Sequence, residues 1–396
     1  MKNNFIIGMD HNNNKIFSES DDFRSMFVLA PHGSGKGVCM VLPNLLHNGE
    51  SAIIHDIKME NFQITSKFRA SIGHQIFLFN PFNKNQQTNC YNPLDFVSEK
   101  NKFHDLKNLA ILLINQDDKY KLEAQDFFIS LAQYLLAQNA KPKTIGEIYR
   151  FFRDEKLPEN LEQIILDNPR KLEESALNYF KKFLKYEQKL QIKILNLLNN
   201  SLEVFANPNV DFATSRSDFD ITAFKQNLAT LYISIDPQDI KIAEPLLNFL
   251  YNHFLDRLIV FSQNIDYSQN RGVNFYLDEF YTIGKIDELA LKISYLRGYK
   301  IKLILIASDF DRLDLQYGKN MVNSIINDCF YKIFYTPKNL YSISRILENF
   351  PLSNDWAEAI KQLPIDSQII VKDFVDPLIC KKFYYYNDEI MKKAIE

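Results

Sequence analysis

A tight group of glycines behind a short apolar segment is the feature that most constrains how this chain folds. Glycine is scarce, with 11 in 396 residues, well below the usual share of about 7%. Three of the eleven, Gly33, Gly35 and Gly37, nevertheless lie close together. They follow the apolar residues 25–30, which have the length of a buried strand, and precede a helical pattern over residues 36–46. This order predicts a strand-to-helix turn that needs unusual backbone geometry or approaches a ligand closely.

The turn itself, residues 30–37 (APHGSGKG), has what a polyphosphate site requires. The backbone N–H groups of such a turn converge on an anion, the helix N-terminus adds a favourable dipole, and a lysine reaches the outer phosphates. The match to the pattern G-x-x-x-x-G-K-[ST] is incomplete, because Ala30 replaces the first glycine and Gly37 stands where a hydroxyl would reach Mg²⁺. Nucleotide binding is the favoured interpretation, and a plain glycine-rich turn is the alternative.

Two adjacent carboxylates end a second apolar strand pattern, residues 273–280 (VNFYLDEF). In P-loop enzymes an aspartate at such a strand end helps to hold Mg²⁺. A neighbouring glutamate can act as general base toward the attacking water. Asp278 and Glu279 are therefore the candidate metal-binding and general-base residues. The alternative, two solvated carboxylates at a strand end, is weakened by the phosphate-binding turn upstream.

Strand and helix patterns alternate on both sides of a long helical stretch. Strand patterns at residues 25–30, 51–56 and 75–79 are separated by helical patterns, which predicts βαβ units and a parallel sheet. Strand patterns are missing from about residue 101 to residue 200, return at residues 228–235, and continue at residues 301–307 and 330–335, with a terminal β pair over residues 369–386. The fold class is therefore α/β with an inserted all-α domain. We expect the first part of a nucleotide-binding domain over 1–100, the insert over 101–205, and the second part over 206–396.

Composition and spacing exclude several other classes of protein. A formal net charge of −3 argues against a polybasic protein. The four cysteines form no C-x-x-C pair and are expected to be reduced, and the seven histidines show no metal-binding spacing. The chain has no apolar run of about 18 residues and no apolar N-terminal stretch as long as a signal peptide, which predicts a soluble protein.

Several segments in a fixed order resemble the coupling-protein ATPases of bacterial type IV secretion and conjugation (the TraG/TraD-like family). The segments are residues 30–46 (APHGSGKGVCMVLPNLL), 51–82 (SAIIHDIKMENFQITSKFRASIGHQIFLFNPF), 91–94 (YNPL), 213–219 (ATSRSDF), 277–284 (LDEFYTIG), 297–299 (RGY) and 364–386. A glycine commonly follows the phosphate-loop lysine in this family, so Gly37 fits the resemblance. The similarity extends over nearly the whole chain.

The resemblance implies a RecA-like P-loop NTPase with a parallel-sheet core and an inserted all-α domain, which binds ATP and Mg²⁺ and hydrolyses ATP. It also implies self-association as a hexameric ring at the type IV secretion channel, where the motor recruits DNA–protein complexes or effector proteins and powers their transfer. By position, the cofactor-binding residues are Pro31, His32, Gly33, Ser34, Gly35, Lys36, Gly37, Val38 and Asp56, the metal-binding residue is Asp278, and the catalytic residues are Lys36, Glu279 and Arg297. Arg297 would stabilise charge across a subunit boundary, or would be a cation at a helix C-terminus.

Some positions depart from the family pattern. Met59 replaces the usual glycine of the DIKGE segment, and Ser308 stands where a glutamine is common. The Ser308 departure puts ATP turnover in question more than ATP binding. Gly37, Ser308 and the missing membrane anchor motivate the alternative function, a nucleotide-gated cargo adaptor with little or no hydrolysis. A small-molecule P-loop kinase is a third possibility.

The membrane attachment of this chain is a further question that the resemblance raises. Relatives usually begin with membrane-spanning helices, and this sequence begins near the motor domain, which leaves a soluble variant, a fragment or a protein anchored by a partner. We expect a cytoplasmic protein, peripheral at the cytoplasmic side of the bacterial inner membrane and attached only indirectly.

A basic pattern within the helical insert bears on the cargo. Lys181, Lys185, Lys189 and Lys193 recur every four residues within the helical pattern of residues 173–198. On one helix they would form a basic stripe that faces DNA phosphates or an acidic export signal. A solvated helix face is the alternative, and the choice between DNA and protein cargo stays open.

Overall fold

The central element of the fold is a mixed sheet of parallel and antiparallel strands. The computed structural model describes residues 3–138, 141–167, 172–286, 288–349, 354–373 and 375–395. Over these residues the strands are β1 (Ile6–Met9), β2 (Lys15–Phe17), β3 (Met26–Leu29), β4 (Ser51–Ile57), β5 (Gln75–Phe79), β6 (Ala229–Ile235), β7 (Val273–Leu277), β8 (Ile301–Ala307), β9 (Tyr331–Tyr335), β10 (Ser367–Lys372) and β11 (Val375–Lys381).

Helices connect most of these strands. In the first half of the chain they are α1 (Leu42–His47), α2 (Glu60–Ser71), α3 (Lys102–Leu113), α4 (Lys121–Leu136), α5 (Ile145–Phe152), α6 (Leu157–Asp167), α7 (Glu174–Leu184) and α8 (Gln188–Leu202). In the second half they are α9 (Pro208–Ala213), α10 (Ile240–Gln263), α11 (Leu289–Leu296), α12 (Phe310–Tyr317), α13 (Lys319–Asp328), α14 (Leu340–Asn349), α15 (Asn354–Lys361) and α16 (Glu389–Ile395). A π-helical turn, Gly37–Val41, leads into α1. Among the helices of the described ranges, none is long and apolar enough to cross a bilayer.

The strand order places several loops at one edge of the sheet. The order is β2-β1-β11-β10-β9-β3-β8-β7-β4-β6-β5. The strands from β9 to β6 in this order pair in parallel, and β10, β11, β1 and β2 extend the sheet by antiparallel pairing. β3, β7 and β8 are buried over their whole length, as expected of central parallel strands. Because parallel strands end at the same edge, the segments that follow β3, β7 and β8 lie together there.

The chain divides into two compact units. The first comprises Met1–Leu78, Ile221–Glu244 and Phe254–Glu396, and it contains the sheet except for the last residue of β5. The second comprises Phe79–Asp220 and Pro245–His253, and it contains α3 to α9 with the middle of α10. The functional domains predicted over 1–100, 101–205 and 206–396 stay a prediction.

The sequence predicted most elements of the sheet correctly. The strand patterns at residues 51–56, 75–79 and 301–307 are β4, β5 and β8, and the terminal β pair is formed by β10 and β11. The strand predicted over 273–280 ends earlier, at Leu277, so Asp278 and Glu279 lie in the turn that follows it. The predicted α/β fold with a parallel core is confirmed.

The single helix on which the basic stripe depended was wrong, because the helical pattern over 173–198 is broken. α7 ends at Leu184, and α8 begins only at Gln188, after an extended backbone at Glu187. Lys181 therefore lies in α7, Lys185 in the connection, and Lys189 and Lys193 in α8. Lys181 lies in the last turn of α7, where a cation interacts favourably with the helix dipole.

Candidate functional site

The phosphate loop, residues 30–37, begins where β3 ends. The Ala30 N–H donates to Ala307 O at 2.8 Å, which ties the start of the loop to the end of β8. Gly33 and Gly35 have φ angles of 76° and 88°, a conformation in which a side chain would be strained. A Cβ at Gly33 or Gly37 would meet no atom within 4 Å. Turns with left-handed residues bring successive N–H groups together as an anion-binding concavity, so the loop has the geometry for phosphate.

Lys36 connects this loop to the two carboxylates that follow β7. Its Nζ lies 2.9 Å from Asp278 Oδ1 and also donates to Glu279 Oε1. His32 Nδ1 lies 3.3 Å from the same Glu279 oxygen. The side chains of Lys36 and Glu279 are only 16% and 9% exposed. The structure thus brings together four of the residues that the sequence assigned to the site.

Burial and the Lys36 ammonium act in opposite directions on the two carboxylates. Burial raises the pKa of Asp278, and Lys36 offsets only part of that rise. Burial also tends to raise the pKa of Glu279, but the Lys36 ammonium and hydrogen bonds from Lys36 and Tyr281 outweigh it and hold the pKa below its ordinary value. Glu279 is therefore ionised at neutral pH. An ionised carboxylate in this place is able to accept a proton.

Three buried oxygens at the site are available to a ligand. Within the described residues, Ser34 Oγ, Asp278 Oδ1 and Glu279 Oε2 have no hydrogen-bond partner of good geometry, although Asp278 Oδ1 keeps its ion pair with Lys36. Buried polar atoms are nearly always paired, so such atoms indicate a missing partner. The same part of the chain contains no group of three or more His, Cys, Asp or Glu side chains that would hold a metal alone. One carboxylate beside a phosphate site fits Mg²⁺, which is usually bound by one or two carboxylates together with substrate phosphates.

The backbone of Glu279 is held in an uncommon conformation by a short chain of hydrogen bonds. Glu279 has φ 51°, in the left-handed region. The N–H and the hydroxyl of Thr282 both donate to Glu279 O at 2.8 Å. His55 Nε2 lies 3.0 Å from Thr282 Oγ1 and is the donor there, because the Thr282 proton is already used. Burial lowers the pKa of His55 to about 4, so a neutral histidine on β4 fixes the turn that presents Glu279.

Asp56, at the end of β4, caps α2. Its carboxylate accepts from the backbone N–H groups of Asn61 and Phe62 at 3.1 and 2.8 Å and from the Asn61 side chain at 3.0 Å. It lies one residue beyond the His55–Leu277 pair of β4 and β7. The side chain predicted to bind the cofactor therefore has a structural task at the same edge of the sheet.

Replacing Asp56 with asparagine is expected to remove a pH dependence of stability, while an oxygen that can accept the N–H groups of α2 remains. Burial raises the pKa of Asp56 to about 6, so the folded state binds this proton more tightly than the unfolded state. The resulting stabilisation is complete below the unfolded pKa and is lost as the pH rises through the folded pKa. Relative to Asp56→Asn, the wild-type free energy of unfolding should fall by about 1 kcal/mol between about pH 5 and pH 7.5. Urea titrations at the two pH values measure this, and a constant difference between the proteins would contradict it.

Met59 shows why a glycine is favoured at its position. Lys58 and Met59 have φ angles of 79° and 63°, both left-handed. A residue other than glycine is strained in that conformation. The substitution thus changes backbone strain at the turn before α2, outside the ion-pair cluster of Lys36.

Arg297 lies apart from the other candidate residues. It is exposed, directly after α11 and shortly before β8, at the edge where the parallel strands begin. Lys36 and the carboxylates lie at the opposite edge, where β3 and β7 end. In the part of the chain that the structure describes, no hydrogen bond or ion pair holds its guanidinium group. A contact with a phosphate site would therefore require a second copy of the chain.

Further contacts at the site involve residues that the sequence patterns did not identify. The Arg312 guanidinium donates to the Tyr281 hydroxyl at 2.6 Å, and that hydroxyl lies 3.4 Å from Ser308 Oγ. On the other side of the loop, Lys338 donates to His32 O, and Lys382 donates to Ser34 O at 3.0 Å. These partners are far apart in sequence and belong to no short motif, so only the folded chain reveals them.

A family model described as "Type IV secretory system Conjugative DNA transfer" matches residues 2–347 of the chain. The chain belongs to this family. The resemblance inferred from the motifs is thereby confirmed, and the phosphate loop, β7 and the two carboxylates all lie within the matched region of this conjugative-transfer family.

Curated relatives and solved structures agree with this membership. VirD4 from Agrobacterium fabrum is 27% identical over 404 residues, which cover 93% of this chain and 60% of VirD4. The conjugal transfer protein TraG from Escherichia coli is 25% identical over 344 residues, which cover 80% of this chain and 53% of TraG. This chain therefore spans about three fifths or less of the length of these relatives. The plasmid coupling protein TrwB, in complex with ADP and Mg²⁺, superposes with a TM-score of 0.69 at 12% identity over 92% of this chain and 86% of TrwB, and shows the same fold.

Proposed function

We propose that the chain is an ATP-hydrolysing coupling motor of type IV secretion and conjugation. The observation that carries the proposal is the cluster in which Lys36 of the phosphate loop meets Asp278 and Glu279 after β7. This cluster supplies a phosphate-binding cation, a magnesium ligand and a base within one ion-pair network. TrwB, which shares the fold, has been seen with ADP and Mg²⁺, and this supports the same ligands here.

The phosphate loop would bind the triphosphate of ATP. In this proposal the N–H groups of Gly33 and of Gly35 to Val38 surround the phosphate oxygens, Pro31 and His32 form the start of the loop, and the Ser34 N–H holds the turn by donating to Pro31 O at 3.0 Å. The Ser34 hydroxyl, buried without a partner in the described ranges, donates to a phosphate oxygen. Lys36 shifts from its carboxylate partners to the outer phosphates, where a charged hydrogen bond is stronger than a neutral one.

Glu279 would act as the general base and Asp278 would hold Mg²⁺. The Mg²⁺ ion, when bound, neutralises charge on the outer phosphates. Glu279 is ionised at neutral pH and its turn is fixed by Thr282, so its carboxylate is prepared to take a proton from the attacking water. Asp56 would keep the neighbouring strand end ordered through its cap on α2.

Self-association would complete the site. Arg297 is exposed at the edge opposite its own phosphate loop. In this proposal the chain assembles as a hexameric ring, and Arg297 stabilises charge in the site of a neighbouring subunit. The alternative is a simple electrostatic role, since Arg297 follows the C-terminus of α11. The nucleotide-binding parts over 1–100 and 206–396 would form the motor, and the helical part over 101–205 would contact cargo.

The proposed partners are the type IV secretion channel and its cargo, either DNA–protein complexes or effector proteins. The VirD4 and TraG relatives and the family description support this assignment. The proposed location is the cytoplasmic side of the bacterial inner membrane, where a partner protein would hold the chain.

Stimulation of ATP turnover by cargo tests the proposal. Adding single-stranded DNA to the purified chain is expected to raise the steady-state release of phosphate from ATP several-fold, because DNA brings subunits together. Lys36→Ala should show no turnover with or without DNA. Stimulation by a small phosphate acceptor instead of DNA would contradict the motor and indicate a small-molecule kinase.

A nucleotide-gated adaptor is the second candidate function, and two observations favour it. Gly37 offers no hydroxyl to Mg²⁺, and the short Ser308 side chain is engaged with Tyr281 and Asp309 at the end of β8. Measurable ATP affinity, with phosphate release no faster than in buffer at every assembly state, would favour the adaptor over the motor.

A further inference from the structure

The C-terminal segment that follows β11 lies directly beside the phosphate loop. β11 runs in the same direction as β3, since two antiparallel steps separate it from β9. Its exit therefore lies at the same edge of the sheet as the loop. The Tyr384 ring would come within 3.7 Å of a Cβ at Gly35. The turn Tyr385–Asn387 packs against the π-helical turn Gly37–Val41.

Two lysines fix this segment and its surroundings to the loop. Lys382 is 1% exposed, and its ammonium donates to Ser34 O at 3.0 Å and to Ile365 O at 2.6 Å, with the Tyr335 ring 4.2 Å away. Lys338, after β9, donates to His32 O. Both contacts are to carbonyl oxygens, so neither lysine blocks an N–H group of the loop. These contacts form a wall beside the loop.

The ion-pair cluster indicates the direction in which a nucleotide bound at the phosphate loop extends. Lys36, Asp278 and Glu279 mark the place of the outer, reacting phosphates, on the side of β3 where β8 and β7 lie. β9, β10 and β11 lie on the other side of β3. A nucleotide whose outer phosphates occupy the cluster must extend its inner phosphates and nucleoside away from β7. That direction leads past Gly37 and Val38 toward the residues after β11.

We propose that Tyr386 is the residue on which the nucleobase stacks, and that the Tyr384 ring packs against Tyr386 and supports it. This inference depends on the proposed nucleotide site and adds its base-binding part. Tyr386 is 42% exposed, and its ring centroid lies 5.3 Å from that of Tyr384 and 5.6 Å from that of Tyr385. An exposed ring supported by other aromatic rings presents a flat face at low entropic cost. Such a face binds any base by stacking, because every base has a π face.

Comparing a ligand that has a base with one that has none tests the inference. Calorimetric titration of the full chain with ADP and with inorganic pyrophosphate, both with Mg²⁺, measures the two affinities. Tyr386→Ser is expected to weaken ADP binding by about tenfold, the size of one base–aromatic stacking contact. Its affinity for pyrophosphate should stay within about twofold of wild type, because no phosphate contact is lost. Tyr386→Trp should restore ADP binding.

The matched control is Tyr267→Ser. Tyr267 is equally a surface tyrosine, 59% exposed, but it precedes β7 at the opposite edge of the sheet, so the variant should bind ADP as wild type does. Equal weakening of ADP and pyrophosphate by Tyr386→Ser would overturn the inference, because Tyr386 would then only support the loop. Unchanged ADP binding would overturn it as well. If wild type bound neither ligand, the proposed function and this inference would both fail.

Discussion

Lys36→Ala is expected to abolish ATP turnover and to weaken nucleotide binding by on the order of a hundredfold, as loss of a buried charged partner does. Lys36 is the cation of the phosphate loop, and its Nζ is also the charged partner of Asp278 and Glu279. Its removal takes a donor from the phosphates and leaves two carboxylates close together without a counter-charge. Titration with a fluorescent ATP analogue and a phosphate-release assay measure both effects.

Two further variants separate the charge of Lys36 from other effects. Lys36→Met keeps the aliphatic stem and should lose binding to the same degree, because in the proposed function the ammonium is the group that contacts phosphate. Lys67→Ala removes an exposed lysine of α2 and should bind and hydrolyse ATP as wild type does. Nucleotide affinity that survives in Lys36→Met would show that the loop does not bind phosphate through this lysine.

Glu279→Gln is expected to retain nucleotide binding and to lose turnover by about 10² to 10⁴, the usual contribution of a general base. Glutamine has nearly the same shape as glutamate and keeps an oxygen for Lys36 and Tyr281, but it cannot accept the proton of the attacking water. Removing one negative charge beside Lys36 also frees that ammonium for phosphate, so ATP affinity should stay the same or increase. Binding and single-turnover hydrolysis of ATP, measured on the same preparation, give the two quantities.

The control for this variant is Glu99→Gln, which changes an 86% exposed glutamate in the other compact unit. It should leave both binding and turnover unchanged. Turnover in Glu279→Gln equal to that of wild type would remove Glu279 from the mechanism. Loss of nucleotide binding in that variant would assign Glu279 to binding instead of catalysis.

The part of the site that lies within continuous stretches of sequence was predictable. The glycines, Lys36 and the apolar strand before them are neighbours along the chain, and so are the strand β7 and its two carboxylates. Each pattern reports a local backbone geometry, and parallel strands bring their carboxyl ends to one edge. The meeting of Lys36 with Asp278 and Glu279 therefore followed from two local patterns and one rule of sheet geometry.

The rest of the site depends on pairings between distant segments. The short hairpin β1–β2 gives a weak pattern, and it is stabilised by pairing with β11 near the other end of the chain. Lys338 and Lys382 reach the loop, and the turn that contains Tyr386 packs against Gly37–Val41, because β9, β10 and β11 extend the sheet beside β3. No local signal marks these residues, since a lysine bonded to a backbone carbonyl has no sequence pattern.

The break between α7 and α8 shows a second limit of local patterns. Apolar residues continue at helical spacing through residues 173–198, but the chain turns at Glu187. Periodicity describes which residues are buried and does not fix whether one helix or two present them. For this reason the single helix on which the basic stripe depended was wrong.

ATP turnover per subunit, measured as a function of protein concentration with and without single-stranded DNA and beside Lys36→Ala, decides whether the chain is an assembling motor. We expect turnover that rises with concentration, rises further with DNA, and is absent from Lys36→Ala, because in the proposed motor each site needs its own Lys36 cluster and the Arg297 of a neighbour. Turnover that stays at the level of Lys36→Ala at every concentration, in a chain that binds ATP, would show that the chain is not such a motor.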